Sequence, residues 1–474
     1  MKSIYLTTTL PYVNDEPHIG FALELVQVDA VARFNRLMGK EVFLNTGTDE
    51  HGIKIYLKAL EAQESVQDYV DRYFNSFKNL PAKLGVIDDI NFIRTTDESH
   101  ITAAEEFWRR CEDKGDIYKK KYQAKYCVGC EMEKHDSEIE NDHCFIHPNL
   151  ELELIAEENY FFRFSNYTDK LLALYQDNPN FVLPAHRQTE ISKFVASGLR
   201  DFSISRLVTK MPWGVPVPGD SDHVMYVWFD ALINYISAIG WPNDDHKFKK
   251  WWPVIQFAGK DNLRQQSAMW PAMLMSADLP LPEQILIHGF ITSAGQKMSK
   301  SLGNVISPFT IIDQYSADAL RYYLLRHVSP FEDSDFTPDK FKDAYNANLA
   351  NGLGNLVSRI MTLAERYLSE APTIPDNTIP TDFKEAMEAY QFNQACDLVW
   401  RQIGDLDERI ATTEPFKVIK TDLSKGRELI SDLVIDLYTI GRMLNPLLPA
   451  TSIAIKDLIK KNSKPVVPLF LRRD

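Results

Sequence analysis

The sequence predicts an α/β protein: a doubly wound parallel sheet, interrupted by a metal-binding insertion and followed by an all-α C-terminal region. Three observations predict this class. A strand, a helix and a second strand follow one another within the first 50 residues, and cysteine and histidine residues cluster near the middle of the chain. Long amphipathic segments fill the last part of the sequence, from about Asn346 onward.

The βαβ pattern begins at the N-terminus. The strand-like run Ile4–Leu10 predicts a buried strand, and Glu41–Asn45 predicts a second one. Between them lies a predicted amphipathic helix, whose apolar stripe consists of Phe21, Leu25, Val28 and Ala32. Ligand sites of parallel sheets lie beyond the carboxyl ends of the strands, and Asp49 follows the second strand. Asp49 is therefore a candidate binding residue.

Later segments complete the predicted organisation. From about Gly115 the βαβ pattern stops, and a proline- and glycine-rich loop near Met211 leads back to apolar runs. Three of these runs predict further parallel strands: Tyr226–Phe229, Val254–Ala258 and Ile285–His288. We expect a catalytic domain in two halves around an insertion, then a linking region and a helical domain. Their predicted ranges are 1–114, 115–215, 216–300, 301–345 and 346–474.

The composition is that of an ordinary globular protein, with 45% hydrophobic and 25% charged residues among 474. No apolar run approaches the roughly 18 residues that a membrane span needs, so we expect no membrane partner. A net charge of −14 argues against general nucleic-acid binding but leaves room for a local basic groove. Five cysteines without an export signal indicate a reducing compartment, and we expect a cytoplasmic protein.

The cysteine and histidine cluster has the spacing of a zinc knuckle. Two short pairs separated by 13 residues can close on one tetrahedral ion, and four protein ligands would make its role structural. The predicted zinc ligands are Cys127, Cys130, Cys144 and His147. His135 and His143 are the spare candidates if this register is wrong. Cys111 and Cys396 stand alone and are expected in the core rather than as nucleophiles.

Two further segments have the chemistry of nucleotide binding. Pro17–Gly20 joins the first strand to its helix, and a helix that begins at a tight glycine turn directs free N–H groups and a positive dipole at phosphate. Lys297–Ser301 lies in a glycine-bounded loop, and its two lysines can stabilise a leaving pyrophosphate. Either segment alone is a weak signal, but their order and context make chance a poor explanation.

Together these motifs resemble the methionyl-tRNA synthetases, a family of class I aminoacyl-tRNA synthetases with a Rossmann-like catalytic domain. The resemblance covers nearly the whole chain, and the single knuckle is similar to the one-knuckle branch of the family. Asn346–Arg359 resembles the start of the family's anticodon-binding domain. The other matching segments are Thr7–Asn14, His18–Gly20, Thr46–Gly52, Tyr226–Ala231, Gly259–Asp261, Trp270–Leu274, His288–Phe290 and Lys297–Ser301.

The resemblance implies a methionine–tRNA ligase that uses ATP with Mg²⁺, carries structural Zn²⁺, acts on tRNA(Met) and is a monomer. Asp49 would hold the substrate's ammonium group, and the side-chain pocket would consist of Leu10, Tyr12, Trp228, Ala231, Tyr235 and Gln266. The implied ATP and catalytic residues are His18, Gly20, Glu24, Gly259, Asp261, His288, Ile291, Lys297, Ser299 and Lys300. The implied anticodon-reading residues are Asn355, Arg359 and Phe416.

Three departures from the family pattern leave alternatives open. Phe21 stands where the first signature has a second histidine, which favours a non-catalytic RNA-binding relative. Gln265-Gln266 replaces a Phe-His pair, which favours a ligase for another amino acid or acceptor, and Phe416 replaces a stacking tryptophan.

Single residues also have simpler interpretations. Asp49 could cap the helix that follows it. The pair Asn355 and Arg359 could be a solvated helix face, and Phe416 could pack in the core. His51 receives no role from the sequence.

Overall fold

The structure, a computed structural model, describes residues 3–130, 132–134, 138–298, 303–375 and 379–473. The chain divides into two compact units. Unit 1 is built from Met1–Pro17, Glu41–Asn79 and Asp89–Ile287, and unit 2 from His18–Lys40, Leu80–Asp88 and His288–Asp474. Across the described ranges, no helix has both the length and the apolar character that crossing a membrane requires. The five predicted domain ranges stay a prediction.

Most of the strands are short, and they are concentrated in the first 300 residues. They are β1 (Ser3–Thr7), β2 (Glu41–Thr48), β3 (Asn91–Arg94), β4 (Ile117–Cys127), β5 (Met132–Lys134), β6 (Ile139–Glu140), β7 (His143–Cys144), β8 (His147–Glu151), β9 (Glu153–Phe162), β10 (Val182–Leu183), β11 (Phe202–Ser203), β12 (Ser205–Leu207), β13 (Pro216–Val217), β14 (Asp220–Met225), β15 (Val254–Gly259), β16 (Gln284–His288), β17 (Ile291–Ser293), β18 (Gln296–Lys297) and β19 (Ser334–Phe336).

The α-helices continue to the C-terminus, where they are longest. They are α1 (Ile19–Leu37), α2 (Ile53–Ala62), α3 (Val66–Lys83), α4 (Glu98–Asp113), α5 (Thr168–Asp177), α6 (Ala185–Ala196), α7 (Val227–Ala231), α8 (Asn234–Ser237), α9 (Asp245–Trp251), α10 (Trp270–Ser276), α11 (Pro308–Gln314), α12 (Ala317–Arg326), α13 (Pro338–Ala344), α14 (Asn355–Tyr367), α15 (Thr381–Glu388), α16 (Phe392–Thr413), α17 (Pro415–Thr421), α18 (Leu423–Met443) and α19 (Pro449–Lys461). Two π-helical segments, Gln265–Met269 and Tyr345–Gly354, lead directly into α10 and α14.

A six-stranded sheet of order β10-β16-β15-β1-β2-β3 forms the centre of unit 1, counted over the described residues. β1 pairs in parallel with both β2 and β15, so the chain winds outward from β1 in two directions. The carboxyl ends of β1 and β15 therefore form the topological switch point at which such sheets bind ligands. The predicted strands Val254–Ala258 and Ile285–His288 are confirmed as β15 and β16.

The third predicted strand, Tyr226–Phe229, is wrong. The preceding residues Asp220–Met225 form β14, which pairs antiparallel with β12, and the chain then turns at Tyr226 into helix α7. The run Val227–Phe229 is apolar and mostly buried, and a fully apolar run has no period that separates a buried helix from a buried strand.

Helix α7 is anchored by one aromatic side chain. Phe229 is fully buried and contacts the rings of Phe107 and Trp108 on α4 edge-to-face, at 5.8 and 5.4 Å between centroids. Aromatic side chains of this size contribute much of a core's burial energy, and the edge-to-face geometry fixes their orientation. The anchor orients Trp228 and Ala231, the two predicted pocket residues on the same short helix.

The predicted insertion contains antiparallel strands rather than further βαβ units. β4 pairs along its length with β9, in a four-stranded sheet of order β11-β9-β4-β5 in the described part of the chain. β6, β7 and β8 form a small separate sheet that carries the knuckle.

In unit 2 the predicted helix after the first strand is confirmed as α1, but it is buried on almost every side. Leu25, Val28 and Ala32 of the predicted stripe are buried, and so are polar residues of the other faces. One of these, Asp29, forms an ion pair with the fully buried Arg321 of α12 (2.6 Å). The helix is therefore a core helix of unit 2, packed against α12.

Candidate active site

Backbone pairing brings two predicted binding residues together in unit 1. Past the ends of β1 and β2, Tyr12 and Asp49 form an isolated parallel bridge. The N–H of Asp49 donates to Pro11 O (2.9 Å), and the N–H of Val13 donates to Asp49 O (3.3 Å). The helix-cap interpretation of Asp49 is wrong, because α2 begins after Gly52, without a side-chain cap. Asp49 is 3% exposed and is held at the carboxyl edge of the sheet.

An aromatic wall lies beside this bridge. The ring of Trp228 meets the ring of Tyr12 edge-to-face, with 6.3 Å between centroids. The indole Nε1 of Trp228 is buried and has no hydrogen-bond partner among the described residues. Buried donors are normally satisfied, so this one lacks a partner that a bound ligand could supply. Leu10, also predicted for this pocket, lies half-buried after β1.

Two more predicted pocket residues contact each other directly. Gln266 Nε2 donates to Tyr235 Oη (2.8 Å), and Gln256 Nε2 on β15 donates to Gln266 Oε1 (3.3 Å). Both Tyr235 and Gln266 are at most 2% exposed, and Ala231 at the end of α7 is 7% exposed. Gln266 lies on the π-helical turn Gln265–Met269, and such turns are frequent at functional sites.

Two ATP residues predicted in unit 1 follow β15. Gly259 is buried as the last residue of this strand, and Asp261 is exposed in the single turn Lys260–Asn262 that follows. Both therefore lie past the carboxyl end of β15, at the switch point of the sheet.

In unit 2, His18 caps helix α1. Its Nδ1 accepts from the N–H of Gly20 (3.1 Å), and a Cβ at position 20 would lie 2.9 Å from the imidazole. Glycine is thus required at this position for the imidazole to fold onto the helix start. The expectation of free N–H groups is wrong, since those of Ile19 and Phe21 also donate, to Ile306 O and His18 O. The exposed imidazole and the helix dipole remain as the groups that can meet an anion.

The predicted ATP residues Glu24 and His288 form a buried pair within unit 2. His288 Nε2 lies 2.9 Å from Glu24 Oε2, and His288 Nδ1 lies 2.8 Å from Gly289 O. A carbonyl only accepts, so the proton of this second hydrogen bond lies on Nδ1. The neighbouring Ile291, 4% exposed, starts β17.

The second signature segment begins in a hairpin of unit 2. β17 and β18 pair antiparallel around a turn at Ala294 and Gly295, both with positive φ. Asp335 accepts from the N–H of Gly295 (2.7 Å) and from Thr292 Oγ1 (3.1 Å), which fixes the turn. Lys297 ends β18, whereas Ser299 and Lys300 lie outside the described residues.

The four predicted zinc ligands converge in the insertion. Their ligand atoms all lie within 4.8 Å of one another, and Cys130 Sγ is 3.2 Å from His147 Nδ1. A Cβ on Gly129 would come within 2.6 Å of the His147 ring, so the knuckle turn is shaped around this imidazole. Three sulfurs and one nitrogen fit a tetrahedral zinc site with no open position. His143 is not a member, since its Nδ1 is hydrogen-bonded to Asn141 O (2.7 Å), and His135 is outside the described residues.

The other two cysteines are core residues, as predicted. Cys111 and Cys396 are 0% and 1% exposed. Burial raises the pKa of the Cys111 thiol to about 12, which keeps this thiol protonated and unreactive at neutral pH.

The three predicted anticodon residues lie on the helices of unit 2. Asn355 opens α14 and is exposed, and Arg359, one turn later, forms an ion pair with Asp407 of α16. Phe416 on α17 is 38% exposed, so the core-packing interpretation of this ring is wrong.

Sequence reasoning missed a buried polar chain in unit 1. Asp230 of α7 accepts hydrogen bonds from His51 (2.6 Å) and from His100 of α4 (2.8 Å), and all three are at most 5% exposed. Burial acts to raise the pKa of this carboxyl, but the two imidazoles outweigh it and lower the pKa of Asp230 to about 2. The three residues are far apart in sequence, so the only available signal was a histidine two positions after Asp49.

Comparison with known proteins identifies the family. A sequence model described as "tRNA synthetases class I (M)" matches residues 4–145 and 129–361. A methionine–tRNA ligase of Synechocystis is 41% identical over 95% of this chain and 88% of its own length. A methionine–tRNA ligase of Thermotoga maritima is 38% identical over 97% of this chain and 76% of its own length.

A solved structure agrees with the sequence comparisons. Mycobacterium tuberculosis methionyl-tRNA synthetase in complex with methionyl-adenylate aligns with a TM-score of 0.90 at 35% identity, over 96% of this chain and 94% of that one. Among the alternatives that the sequence left open, these relatives support a ligase that joins methionine to tRNA. The chain therefore belongs to the methionyl-tRNA synthetases, class I aminoacyl-tRNA synthetases that join methionine to tRNA.

Proposed function

We propose that this methionine–tRNA ligase binds methionine through the residues around the Tyr12–Asp49 bridge. The observation that carries the proposal is a buried carboxylate beside an aromatic wall. Asp49 would hold the α-ammonium group, and the rings of Tyr12 and Trp228 would face the unbranched thioether, a soft group that packs well on aromatics. Further walls of the pocket would come from Leu10, Ala231, Tyr235 and Gln266.

The ATP residues would stabilise the negative charge of the phosphates, and none of them would form a covalent bond to a substrate. The substrate carboxylate attacks the α-phosphorus of ATP, its new P–O bond forms as the bond to the β-phosphate oxygen breaks, and pyrophosphate leaves. The dipole of α1 offers positive potential to the phosphates, His18 offers the N–H of its other ring nitrogen, and the close approach of the imidazole requires Gly20. Glu24, Gly259, Asp261, His288 and Ile291 would surround the nucleotide.

Lys297, Ser299 and Lys300 would complete the phosphate contacts. Lysine ammonium groups can neutralise the charge that develops on the pentavalent phosphorus and the leaving pyrophosphate. Mg²⁺ would accompany ATP and share this role. Asp335, by fixing the turn at Gly295, would hold the start of this segment in place.

The second half-reaction uses tRNA(Met). A ribose hydroxyl of its terminal adenosine attacks the carbonyl carbon of methionyl-adenylate, and AMP leaves. Asn355, Arg359 and Phe416 would read the anticodon, with Phe416 as the stacking group since its ring is partly exposed. Zinc at the knuckle would be structural, and the protein would act as a monomer.

The test is methionine-dependent ATP–pyrophosphate exchange, followed by charging of tRNA(Met). We expect Asp49→Asn to raise the KM for methionine about a hundredfold, because an ammonium–carboxylate contact is worth roughly 3 kcal/mol. The KM for ATP should stay near the wild-type value. Lys300→Ala should instead lower kcat, and Asp245→Asn, an exposed aspartate, should change neither constant. An unchanged methionine KM in Asp49→Asn would contradict the assignment.

A further inference from the structure

A continuous buried chain of four polar side chains runs through unit 1. His51 Nδ1 lies 2.6 Å from Asp230 Oδ2, Asp230 Oδ1 lies 2.8 Å from His100 Nε2, and His100 Nδ1 lies 3.1 Å from Ser237 Oγ. None of the four is more than 6% exposed. We refer to His51, Asp230, His100 and Ser237 as the buried relay.

The chemistry of the groups fixes the direction of the hydrogen bonds. An ionised carboxylate only accepts, so His51 must carry a proton on Nδ1 and His100 a proton on Nε2. With a neutral His100, its Nδ1 accepts from the hydroxyl of Ser237. Asp230 is thus held from both sides, by histidines on two different segments of the chain.

Two members of the relay are close in sequence to proposed methionine contacts. His51 follows Asp49 by two positions, and Asp230 lies between Trp228 and Ala231 on α7. The relay therefore joins the segment that carries the ammonium-binding carboxylate to the helix that carries the aromatic wall.

The segment between Asp49 and His51 is itself rigidly held. Glu50 Oε1 accepts from Thr48 Oγ1 and from Arg94 Nε, both at 2.7 Å, and Glu50 O accepts from Trp213 Nε1 at 2.6 Å. The ring of Trp213 also meets the His51 ring edge-to-face, at 5.9 Å between centroids. With this side fixed, the hydrogen bonds of Asp230 act together with the packing of Phe229 on α4 to determine how α7 sits against it.

We propose that Asp230, His51 and His100 are positioning residues that set the separation between Asp49 and Trp228, and thereby the affinity for the amino acid. The inference rests on the proposed roles of Asp49 and Trp228 in binding methionine. Stability alone accounts poorly for such a cluster, since a buried charged group is often replaceable by apolar side chains without loss of stability. Holding two binding groups at a fixed distance is what a rigid, directional chain of hydrogen bonds does well.

The experiment compares variants that remove a hydrogen bond with variants that keep it. His51→Leu and His100→Leu remove a donor to Asp230. His51→Asn retains an N–H near the Nδ1 position, and His100→Gln retains one near the Nε2 position. Each folded protein is assayed by pyrophosphate exchange for kcat and for both KM values, beside its thermal unfolding midpoint.

We expect each leucine variant to raise the KM for methionine about 10- to 100-fold while the KM for ATP stays within about twofold, since a small misplacement of a binding group has effects of this size. The matching Asn and Gln variants should recover most of the methionine affinity. Asp230→Asn is a third test, because its amide can accept only one of the two donors well. If it does not accumulate as folded protein, the histidine variants decide the question.

His223→Leu is the matched control. This histidine is 3% exposed and also uses both ring nitrogens, toward Asp220 (3.1 Å) and Glu158 O (2.9 Å), but it lies on β14 outside the relay. Its loss should lower the unfolding midpoint without changing the KM for methionine. An equal rise of the methionine KM in His223→Leu would overturn the proposal.

Two further outcomes separate this inference from the proposed site. If Asp49→Asn raises the methionine KM and both leucine variants leave it unchanged, the positioning role alone is refuted. If Asp49→Asn has no effect either, the site assignment is wrong, and the positioning role is refuted with it.

Discussion

Gln266 donates a hydrogen bond to the hydroxyl of Tyr235 at 2.8 Å, at a position where the family pattern has a histidine. The same amide accepts from Gln256 at 3.3 Å, so both of its polar atoms are engaged. A glutamine cannot change its charge between pH 5 and 8, whereas a histidine can. The substitution therefore removes a titrating group from the proposed methionine pocket.

The first prediction concerns Gln266→His. Protonation of the introduced imidazole places a buried charge beside Tyr235 and abolishes its capacity to accept from Gln256. We expect a methionine KM that rises as the pH falls below about 6.5, the ordinary pKa of histidine, while wild-type protein lacks this rise. Pyrophosphate exchange measured between pH 5.5 and 8.5 checks this. Gln266→Leu is the control: leucine cannot titrate, so this variant should raise the methionine KM by the same factor at every pH. If the methionine KM of Gln266→His follows the same pH profile as that of wild-type protein, the argument is refuted.

The second prediction concerns the knuckle. Purified protein should contain one zinc ion per chain, and Cys144→Ala should lose it, because removal of one of four ligands breaks the closed tetrahedral set. Metal binding and local folding are linked, so we expect the segment between β4 and β9 to become the first site of proteolysis. Metal analysis and limited proteolysis measure both effects.

Cys396→Ala is the control for the knuckle. This cysteine is 1% exposed and lies on α16. Its replacement should weaken the packing of the core but leave the zinc content unchanged. A full zinc content in Cys144→Ala, or the same proteolytic pattern in both variants, would contradict the assignment of the ligands.

The features that the sequence predicted well have short-range causes. The knuckle ligands lie within 21 positions of one another, and the spacing of two close pairs is itself the geometric requirement of the ion. Helix α1 is likewise encoded in its own 19 residues. The pairing of Tyr12 with Asp49 was not itself predicted, but it follows from two adjacent parallel strands, which the βαβ pattern already implies.

The features that were missed depend on distant parts of the chain. His51 meets Asp230 across 179 positions, and Asp230 meets His100 across 130, so no local pattern could pair them. The helix at Val227–Ala231 was predicted as a strand because its buried apolar run lacks a period. At Gly20 the turn was recognised, but the use of its N–H by His18 depends on a side-chain rotation that the motif does not specify.

The third prediction concerns the pair Asp29 and Arg321 in unit 2. Arg321 is fully buried and also donates to Leu447 O (2.9 Å) and Pro446 O (3.0 Å). Arg321→Met should lower the free energy of unfolding by about 3–5 kcal/mol, because it leaves a buried carboxylate short of one partner. Urea-induced unfolding followed by circular dichroism measures this.

An exposed ion pair of the same unit gives the comparison for Arg321. Lys464 and Glu365 are 3.3 Å apart, with side chains 55% and 39% exposed. Lys464→Ala should lower the free energy of unfolding by at most about 1 kcal/mol, because water screens the pair. An equal decrease of the free energy of unfolding in Lys464→Ala and Arg321→Met would show that burial does not set the strength of the Asp29–Arg321 contact.

The last prediction follows from the ionisation of Asp230. Its pKa in the folded protein is about 2, whereas an unfolded aspartate has a pKa near 3.9. A carboxyl whose pKa falls on folding stabilises the folded state above its unfolded pKa, and this contribution disappears as the pH falls through the folded pKa. At neutral pH this contribution is on the order of 2 kcal/mol, and it should be lost between about pH 4 and pH 2.

The difference in unfolding free energy between wild-type protein and Asp230→Asn should therefore be large at pH 6 and shrink below pH 4. Urea titrations at several pH values measure this difference, from which protonation of the zinc ligands cancels because both proteins share them. Asp245→Asn, at an exposed position, should show no such pH dependence. If the difference in unfolding free energy between wild-type protein and Asp230→Asn stays constant from pH 6 to pH 2.5, the two histidines do not lower the pKa of Asp230 on folding.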